Sequence, residues 1–217
     1  QFQCSGISSS TTRTFTLPDS SGTLSIGAVT GKVEGTNFTD SLLVGHSTTG
    51  TLDAASGNTG VGIDAMDAIT SGDNNVAIGY LAGTAITTGS INTIVGYNAG
   101  STLTTATDNT AVGRQALKTS NGVGNVGIGR DAGEIIADGT YNICIGTNAG
   151  DNITSGSGNV VIGRSDVSSA TGNDQLSISD GRNAGIVWMT GDSSSNITLA
   201  ADLTIGDDFN MTTDSSV

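Results

Sequence analysis

The chain has 217 residues, of which 33 are glycine and one is proline, and its formal net charge is −13. Only 35% of the residues are hydrophobic and 4% are aromatic, which is too little for the thick core of an ordinary helical or α/β domain. Seven Lys and Arg residues are too few to follow nucleic-acid phosphates, and no apolar run approaches the roughly 20 residues of a spanning helix. We therefore expect neither a nucleic-acid partner nor insertion into a membrane.

The first segment, residues 1–40, is predicted to be a β connector. It contains Cys4, which lies 140 positions before the second cysteine, Cys144, and His46 is the only histidine. This spacing favours neither a disulfide nor a zinc site, so we expect Cys144 to pack as a small apolar residue and the chain to hold no metal or cofactor. The chain begins without Met and ends in a polar stretch, and we expect both ends to be cut from a longer product.

A repeat of about 17 residues organises the segment 41–176. Successive copies open on asparagines separated by 17, 17, 17, 16, 17 and 17 residues: Asn58, Asn75, Asn92, Asn109, Asn125, Asn142 and Asn159. A glycine preceded by Val or Ile stands four positions after each asparagine: Gly62, Gly79, Gly96, Gly113, Gly129, Gly146 and Gly163. Ser41 occupies the asparagine position one copy earlier, and a last copy is predicted to start at Asn173 with Leu176 in the Val/Ile position.

Each unit has room for one short strand and two turns, which cannot hold a core alone. The repeat therefore predicts an all-β, elongated parallel β-roll or β-solenoid of about eight coils, followed by a C-terminal β segment at 177–217. Glycine supplies the positive-φ corners, and we expect the repeat asparagines to adopt the left-handed conformation at the other corner. The stacked asparagine side chains are predicted to form a hydrogen-bonded ladder.

The strand pattern also predicts self-association. Positions one and three after each asparagine share one face of the strand, and position two lies on the other. Position two is small or apolar in every copy: Gly60, Ala77, Ile94, Ala111, Gly127, Cys144 and Val161. We therefore expect this second face to be buried against other copies of the chain, most simply in an intertwined homotrimer.

Two groups of fibrous proteins resemble this chain. The units at 75–79 (NVAIG) and 142–146 (NICIG) are similar to the head repeats of trimeric autotransporter adhesins, which form trimeric left-handed parallel β-rolls. The closer resemblance is to tail fibre proteins of tailed bacteriophages of the marine cyanophage type, through the segments 31–39 (GKVEGTNFT), 41–46 (SLLVGH) and 202–208 (DLTIGDD). This resemblance implies a structural, non-enzymatic virion protein, extracellular and trimeric, that contributes to host-cell attachment. Its implied partners are other tail or baseplate proteins and a host polysaccharide or protein receptor. A bacterial cell-surface trimeric adhesin is the alternative.

A column of side chains marks the candidate contact surface. It stands five positions after each repeat asparagine, and we call it the Tyr/Arg column: Ile63, Tyr80, Tyr97, Arg114, Arg130, Thr147 and Arg164. Its Tyr and Arg members are candidates for receptor contact, and simple stacking of solvated side chains is the other interpretation. Trp188 is a further candidate, although a lone Trp in an apolar run is more often a core residue.

Other activities have weaker support in the sequence. Threonines twelve positions after the repeat asparagines, at Thr70, Thr87, Thr104, Thr154 and Thr171, suggest an ice-binding ladder, but Asn121 and Ala137 interrupt it. The GxGxxG match at 122–127 lies inside the repeat without a following helix, so we do not expect a phosphate-binding loop. Neither His46 nor Asp207 and Asp208 has a catalytic partner at a recognisable spacing. Carboxylates paired between chains would be the enzymatic alternative.

Overall fold

A computed structural model describes residues 23–26, 29–35, 37–45, 49–182 and 186–200. Within these ranges the chain is all-β and contains no helix. Cys4, His46 and the 202–208 segment lie outside the described residues.

Fourteen short strands follow one another along the chain. Their bounds are β1 Thr23–Ile26, β2 Val29–Gly35, β3 Phe38–Val44, β4 Ala55–Ser56, β5 Thr59–Val61, β6 Val76–Ile78, β7 Thr93–Val95, β8 Thr110–Val112, β9 Val126–Ile128, β10 Ile143–Ile145, β11 Val160–Ile162, β12 Leu176–Ser179, β13 Val187–Gly191 and β14 Ile197–Leu199. Seven of them, β5 to β11, are three-residue strands that begin directly after a repeat asparagine. The predicted unit of one short strand and two turns is thus confirmed.

The strands form one sheet in which each coil adds one parallel strand. From β3 through β5 to β12 the neighbours are parallel and follow chain order, and the short β4 pairs beside β3. At the two ends the pairing changes, because β1–β2–β3 and β12–β13–β14 are antiparallel. The protein is a β-solenoid of about eight turns with repeats of about 17 residues, as the sequence predicts.

The strand register fixes both ends of the repeat. Leu42 pairs with Thr59, so Ser41 does occupy the position of Asn58 one coil earlier. Leu176 pairs with Val160, which puts Gln175 in the asparagine position. The predicted start at Asn173 is therefore wrong. Gln175 can replace asparagine there because its Nε2 donates to Asn159 Oδ1 at 3.1 Å.

The two faces of the strands have roles opposite to those predicted. Position two, expected to contact other chains, points into the solenoid and lines its own core, with Ile94 and Cys144 fully buried. Positions one and three point outward and are partly exposed. We call them the outer face: Leu42, Val44, Thr59, Val61, Val76, Ile78, Thr93, Val95, Thr110, Val112, Val126, Ile128, Ile143, Ile145, Val160, Ile162, Leu176 and Ile178. The interior is narrow: a Cβ on Gly60 would lie 2.4 Å from Leu43 Cδ2, at position two of the preceding coil, and 3.1 Å from Met66 Cε.

The corners are also arranged differently from the prediction. The glycine after each strand does have positive φ, between 97° and 140° in Gly62 to Gly163. The repeat asparagines do not. Left-handed residues lie instead one position before the asparagine, as in Asn74 and Tyr141, and six positions after it, as in Leu81 and Asp131. The asparagine side chain is thereby left free to turn inward.

Candidate functional site

The interior asparagine ladder is the most regular feature of the solenoid. Asn75 donates to Asn58 Oδ1 from its backbone N–H at 3.0 Å and from Nδ2 at 3.1 Å, and Nδ2 also donates to the Gly89 carbonyl at 2.8 Å. The members are fully or almost fully buried: Asn58, Asn75, Asn92, Asn109, Asn125, Asn142 and Asn159. These contacts satisfy polar groups inside a narrow core, so the ladder is a structural element rather than a ligand site.

The ladder has defined ends and one weak point. Ser41 Oγ accepts the Asn58 N–H at 2.8 Å at one end, and Gln175 donates twice to Asn159 at the other. Asn125 follows Asn109 after 16 residues instead of 17, and its Nδ2 donates to Ser120 Oγ and to the Gly139 carbonyl rather than to Asn109. This 16-residue coil therefore lacks the hydrogen bond from Nδ2 of one asparagine to Oδ1 of the preceding one.

The glycine column lies beside the ladder, where successive coils approach most closely. A Cβ on Gly62 would lie 2.4 Å from the Gly79 carbonyl oxygen, and one on Gly96 would lie 2.4 Å from that of Gly113. These distances are shorter than any ordinary contact, and the backbone is also in the positive-φ region. Only glycine satisfies both conditions without strain.

The Tyr/Arg column runs along the solenoid just beyond this glycine corner, as predicted. Backbone bonds hold its spacing from Ile63 to Thr147: the residue after a member donates to the member one coil earlier, as in Asn98 N–H to the Tyr80 carbonyl at 2.9 Å. Tyr80 and Tyr97 are 46% and 50% exposed. Their rings are stacked, with centroids 5.7 Å apart and planes 22° from parallel.

Two arginines continue the column and converge on one carboxylate. Arg114 Nη2 donates to Asp131 Oδ2 at 2.8 Å, and Arg130 Nη1 donates to the same oxygen at 2.5 Å. Arg130 Nη2 also donates to Asn148 Oδ1 at 3.0 Å. Asp131 is buried and its Oδ1 has no hydrogen-bond partner, whereas both arginine side chains are about half-exposed.

The remaining candidates, Arg164 and Trp188, do not contact the two tyrosines and two arginines just described. Arg164 lies on the final repeat coil and forms no ion pair in the part of the chain that the structure describes. Trp188, on β13, is 54% exposed, so it is not the core residue that its apolar neighbours suggest. Ile186, two residues before it, is exposed as well. The structure thus brings together Tyr80 with Tyr97 and Arg114 with Arg130, but neither Arg164 nor Trp188 joins them.

Sequence reasoning missed two features. The role of Asp131 was missed because an Asp at a corner is expected to be a turn residue. Asp131 does adopt a left-handed φ of 59° there, but it also binds both arginines. The outer face was missed as an exposed apolar surface because it was assigned to the core. Ile78 is 42% exposed and Ile145 is 37% exposed.

The threonine hydroxyls of the candidate ice-binding ladder donate hydrogen bonds to backbone carbonyls. Thr70 Oγ1 donates to the Thr87 carbonyl at 3.0 Å, and Thr87 Oγ1 donates to the Thr104 carbonyl at 3.1 Å. These hydroxyl protons therefore bridge neighbouring coils instead of facing outward as a free donor array. Nothing in this arrangement favours ice binding.

Titratable groups near Cys144 have perturbed pKa values. Burial, followed by the nearby Asp166 carboxylate, raises the pKa of the Cys144 thiol to about 12. The pKa of Asp166 is itself raised, first by desolvation and then by the charge of Asp151. Among the described residues no three His, Cys, Asp or Glu side chains group in a way that could hold a metal ion. The thiol is inert packing, in line with its predicted role.

Comparisons with known proteins add no family. No protein-family model, no curated protein and no solved structure matches this chain. Within the described ranges there is no helix that is long and apolar enough to cross a membrane.

Proposed function

We propose that this chain is a shaft segment of a homotrimeric phage tail fibre that contributes to attachment to the host cell. The outer face is the observation that carries the proposal. It is a continuous surface of Val, Ile, Leu and Thr along nine parallel strands, β3 and β5 to β12, in a protein that leaves it uncovered as a single chain.

The size of this face supports self-association. Eight steps of about 4.8 Å make it about 38 Å long, and two outward positions per strand make it about 10 Å wide. The result is about 400 Å² of mostly apolar surface, comparable with the largest patch on a typical soluble monomer, which is about 300–600 Å² and often functional. Identical chains supply an identical apolar surface in the same register, so copies around a common axis would cover all such faces at once.

The rest of the molecule suits a mechanical role. Its interior holds a repeated hydrogen-bonded ladder, and each coil contacts its neighbours in sequence. The tail-fibre assignment itself rests on the resemblance of the 31–39, 41–46 and 202–208 segments. We infer that other tail or baseplate proteins hold the fibre in an extracellular virion, and that a host polysaccharide or protein is its receptor.

The test is the native mass of the protein and of one variant of the outer face. We expect a mass close to three times the 21.5 kDa chain. Ile145→Lys should convert the assembly to folded monomers, because each buried charge would lie against an apolar partner surface. The matched control is Ile135→Lys, since Ile135 is 41% exposed but lies off the outer face. It should leave the mass unchanged.

Attachment is tested separately with labelled wild-type protein and intact bacteria, marine cyanobacteria among them. Saturable retention on at least one strain supports the attachment role. A wild-type chain that stays a folded monomer at high concentration would contradict the trimeric fibre, and so would equal masses for the two lysine variants.

A further inference from the structure

We propose that four members of the Tyr/Arg column, Tyr80, Tyr97, Arg114 and Arg130, bind a segment of an acidic polysaccharide that lies along the solenoid axis. This inference rests on the attachment function proposed above and names the class of receptor that the surface takes.

The aromatic half of the site is a fixed platform. Tyr80 and Tyr97 stack on each other, and backbone hydrogen bonds between the coils hold them in register. Both residues remain about half-exposed. Tyrosine loses little conformational entropy on binding and offers an apolar ring with a polar tip, a combination suited to sugar rings, which also have apolar faces and hydroxyl edges.

The cationic half is held in place by Asp131. Because Arg114 and Arg130 donate to the same carboxylate oxygen, one negative charge faces two positive charges, and one net positive charge remains. Each guanidinium carries five N–H donors, and the contacts with Asp131 and Asn148, together with one from Arg114 Nη1 to Gln115 Oε1, use only some of them. A carboxylate or sulfate group on a sugar would accept charge-assisted hydrogen bonds from the donors that remain.

The position of these cations favours an anion here. The chain has a net charge of −13 and only seven Lys and Arg residues, yet Arg114, Lys118 and Arg130 lie in two adjacent coils. Asp131 and Glu134 pair with these three cations, so one net positive charge remains in the cluster. An acidic ligand is therefore repelled by most of this protein but not by this cluster. The charge distribution therefore favours an acidic ligand at this cluster over one elsewhere on the protein.

The linear spacing favours a polymer. The four side chains are one coil apart and span three steps of about 4.8 Å, or about 14 Å along the axis. An extended sugar chain meets the tyrosines and the arginines in turn, whereas a compact small molecule reaches only one pair. One positive-φ glycine separates each column residue from the last outer-face residue of its strand.

The experiment is a binding titration of the wild-type protein with polygalacturonate, dextran sulfate and uncharged dextran. We expect both acidic polymers to bind at least about tenfold more tightly than dextran, with an affinity that falls as salt is added. Tyr97→Ala and the double variant Arg114→Lys/Arg130→Lys should each weaken the acidic polymers by about tenfold. The lysines keep the charge opposite Asp131, so the double variant tests the guanidinium geometry without leaving a buried carboxylate unpaired.

Two matched controls come from the same solenoid. Tyr141→Ala removes a tyrosine that is more exposed than Tyr97 but lies at the opposite end of its strand. Arg164→Lys changes an arginine of the same column on a coil that Asp131 does not reach. Both should alter binding by less than about twofold. Circular dichroism melting curves of all variants show that they fold.

The outcomes separate the two proposals. Equal affinity for dextran, or equal losses in the controls, overturns the acidic-polysaccharide site. A wild-type protein that assembles and attaches to cells but binds neither acidic polymer also overturns it, and leaves the fibre function standing. A wild-type monomer that attaches to no cell overturns the fibre function instead.

Discussion

Asn75 places two of its donors on a single oxygen of Asn58, at 3.0 and 3.1 Å, and the same contact recurs up the solenoid with few changes. An amide oxygen has two lone pairs, so each rung is fully used by the coil that follows. The ladder therefore converts a repeated sequence position into a continuous chain of buried hydrogen bonds.

Asn92→Ala should break this chain at its middle. Asn92 Oδ1 accepts from Asn109 twice, and Asn92 Nδ2 donates to the Ala106 carbonyl. Each buried polar group left without a partner costs about 1–3 kcal/mol, so we expect the free energy of unfolding to fall by about 3 kcal/mol or more in a denaturant titration. Asn173→Ala is the control, since Asn173 is exposed and accepts one bond from Ser157. Equal losses in the two variants would mean that the ladder contributes little.

Gly96→Ala tests the contact between coils. The new Cβ would lie 2.4 Å from the Gly113 carbonyl oxygen, and the backbone φ is 139°. Gly181→Ala isolates the backbone contribution, because φ there is 76° and nothing lies within 4 Å of the added carbon. We expect about 1–2 kcal/mol of destabilisation at Gly181 and at least about 3 kcal/mol at Gly96, where the clash is added to the strain. Thermal unfolding of both variants measures the difference, and a smaller loss at Gly96 than at Gly181 would refute the close approach.

The Cys144 thiol should give the protein a stability that depends on alkaline pH. Its pKa is raised to about 12 in the folded chain from an ordinary value of 9.0. The neutral thiol thus stabilises the folded state fully below pH 9, and the contribution is lost as the pH rises from 9 towards 12. Over this interval the titration of one group lowers the free energy of unfolding by up to about 1.4 kcal/mol per pH unit.

Cys144→Ala provides the comparison for this pH dependence. Alanine occupies the same strand position in Ala77 and Ala111, so the variant is expected to fold. Unfolding free energies are measured from pH 8 to 11 in a Cys4→Ser background, where Cys144 is the only thiol. The wild-type curve should fall more steeply than that of the alanine variant, and parallel curves would rule out a titrating buried thiol.

The repeat and the strand positions could be predicted because they are set by local chemistry. Asparagine and glycine recur at a fixed interval, and the Val/Ile position before Gly79 or Gly146 marks each strand. The face assignment failed because both strand faces are apolar, so alternation alone cannot say which one is inside. Side-chain volume decides it: a Cβ on Gly60 would lie 2.4 Å from Leu43 Cδ2, which shows how little room the interior offers.

The candidate site was predictable in position but not in detail. Counting five residues from each asparagine places Tyr97 and Arg114 on one edge, and the structure keeps them there. The pairing of two arginines on Asp131 depends on the corner geometry one residue further along, which a repeat pattern does not encode. Gln175 was missed for a similar reason, since only the register shows that its longer amide reaches Asn159.

The parallel stack is flanked by antiparallel strands, so the number of coils between them can change without changing the contacts that each coil makes. Most internal coils meet equivalent partners above and below, and in the described part of the chain the antiparallel pairs β1–β2 and β13–β14 flank the parallel stack. Inserting or removing one whole 17-residue unit would change the reach of the molecule by about 4.8 Å and leave every remaining rung with an equivalent neighbour. Reach is thus adjustable in discrete steps, by the number of coils between two unchanged ends.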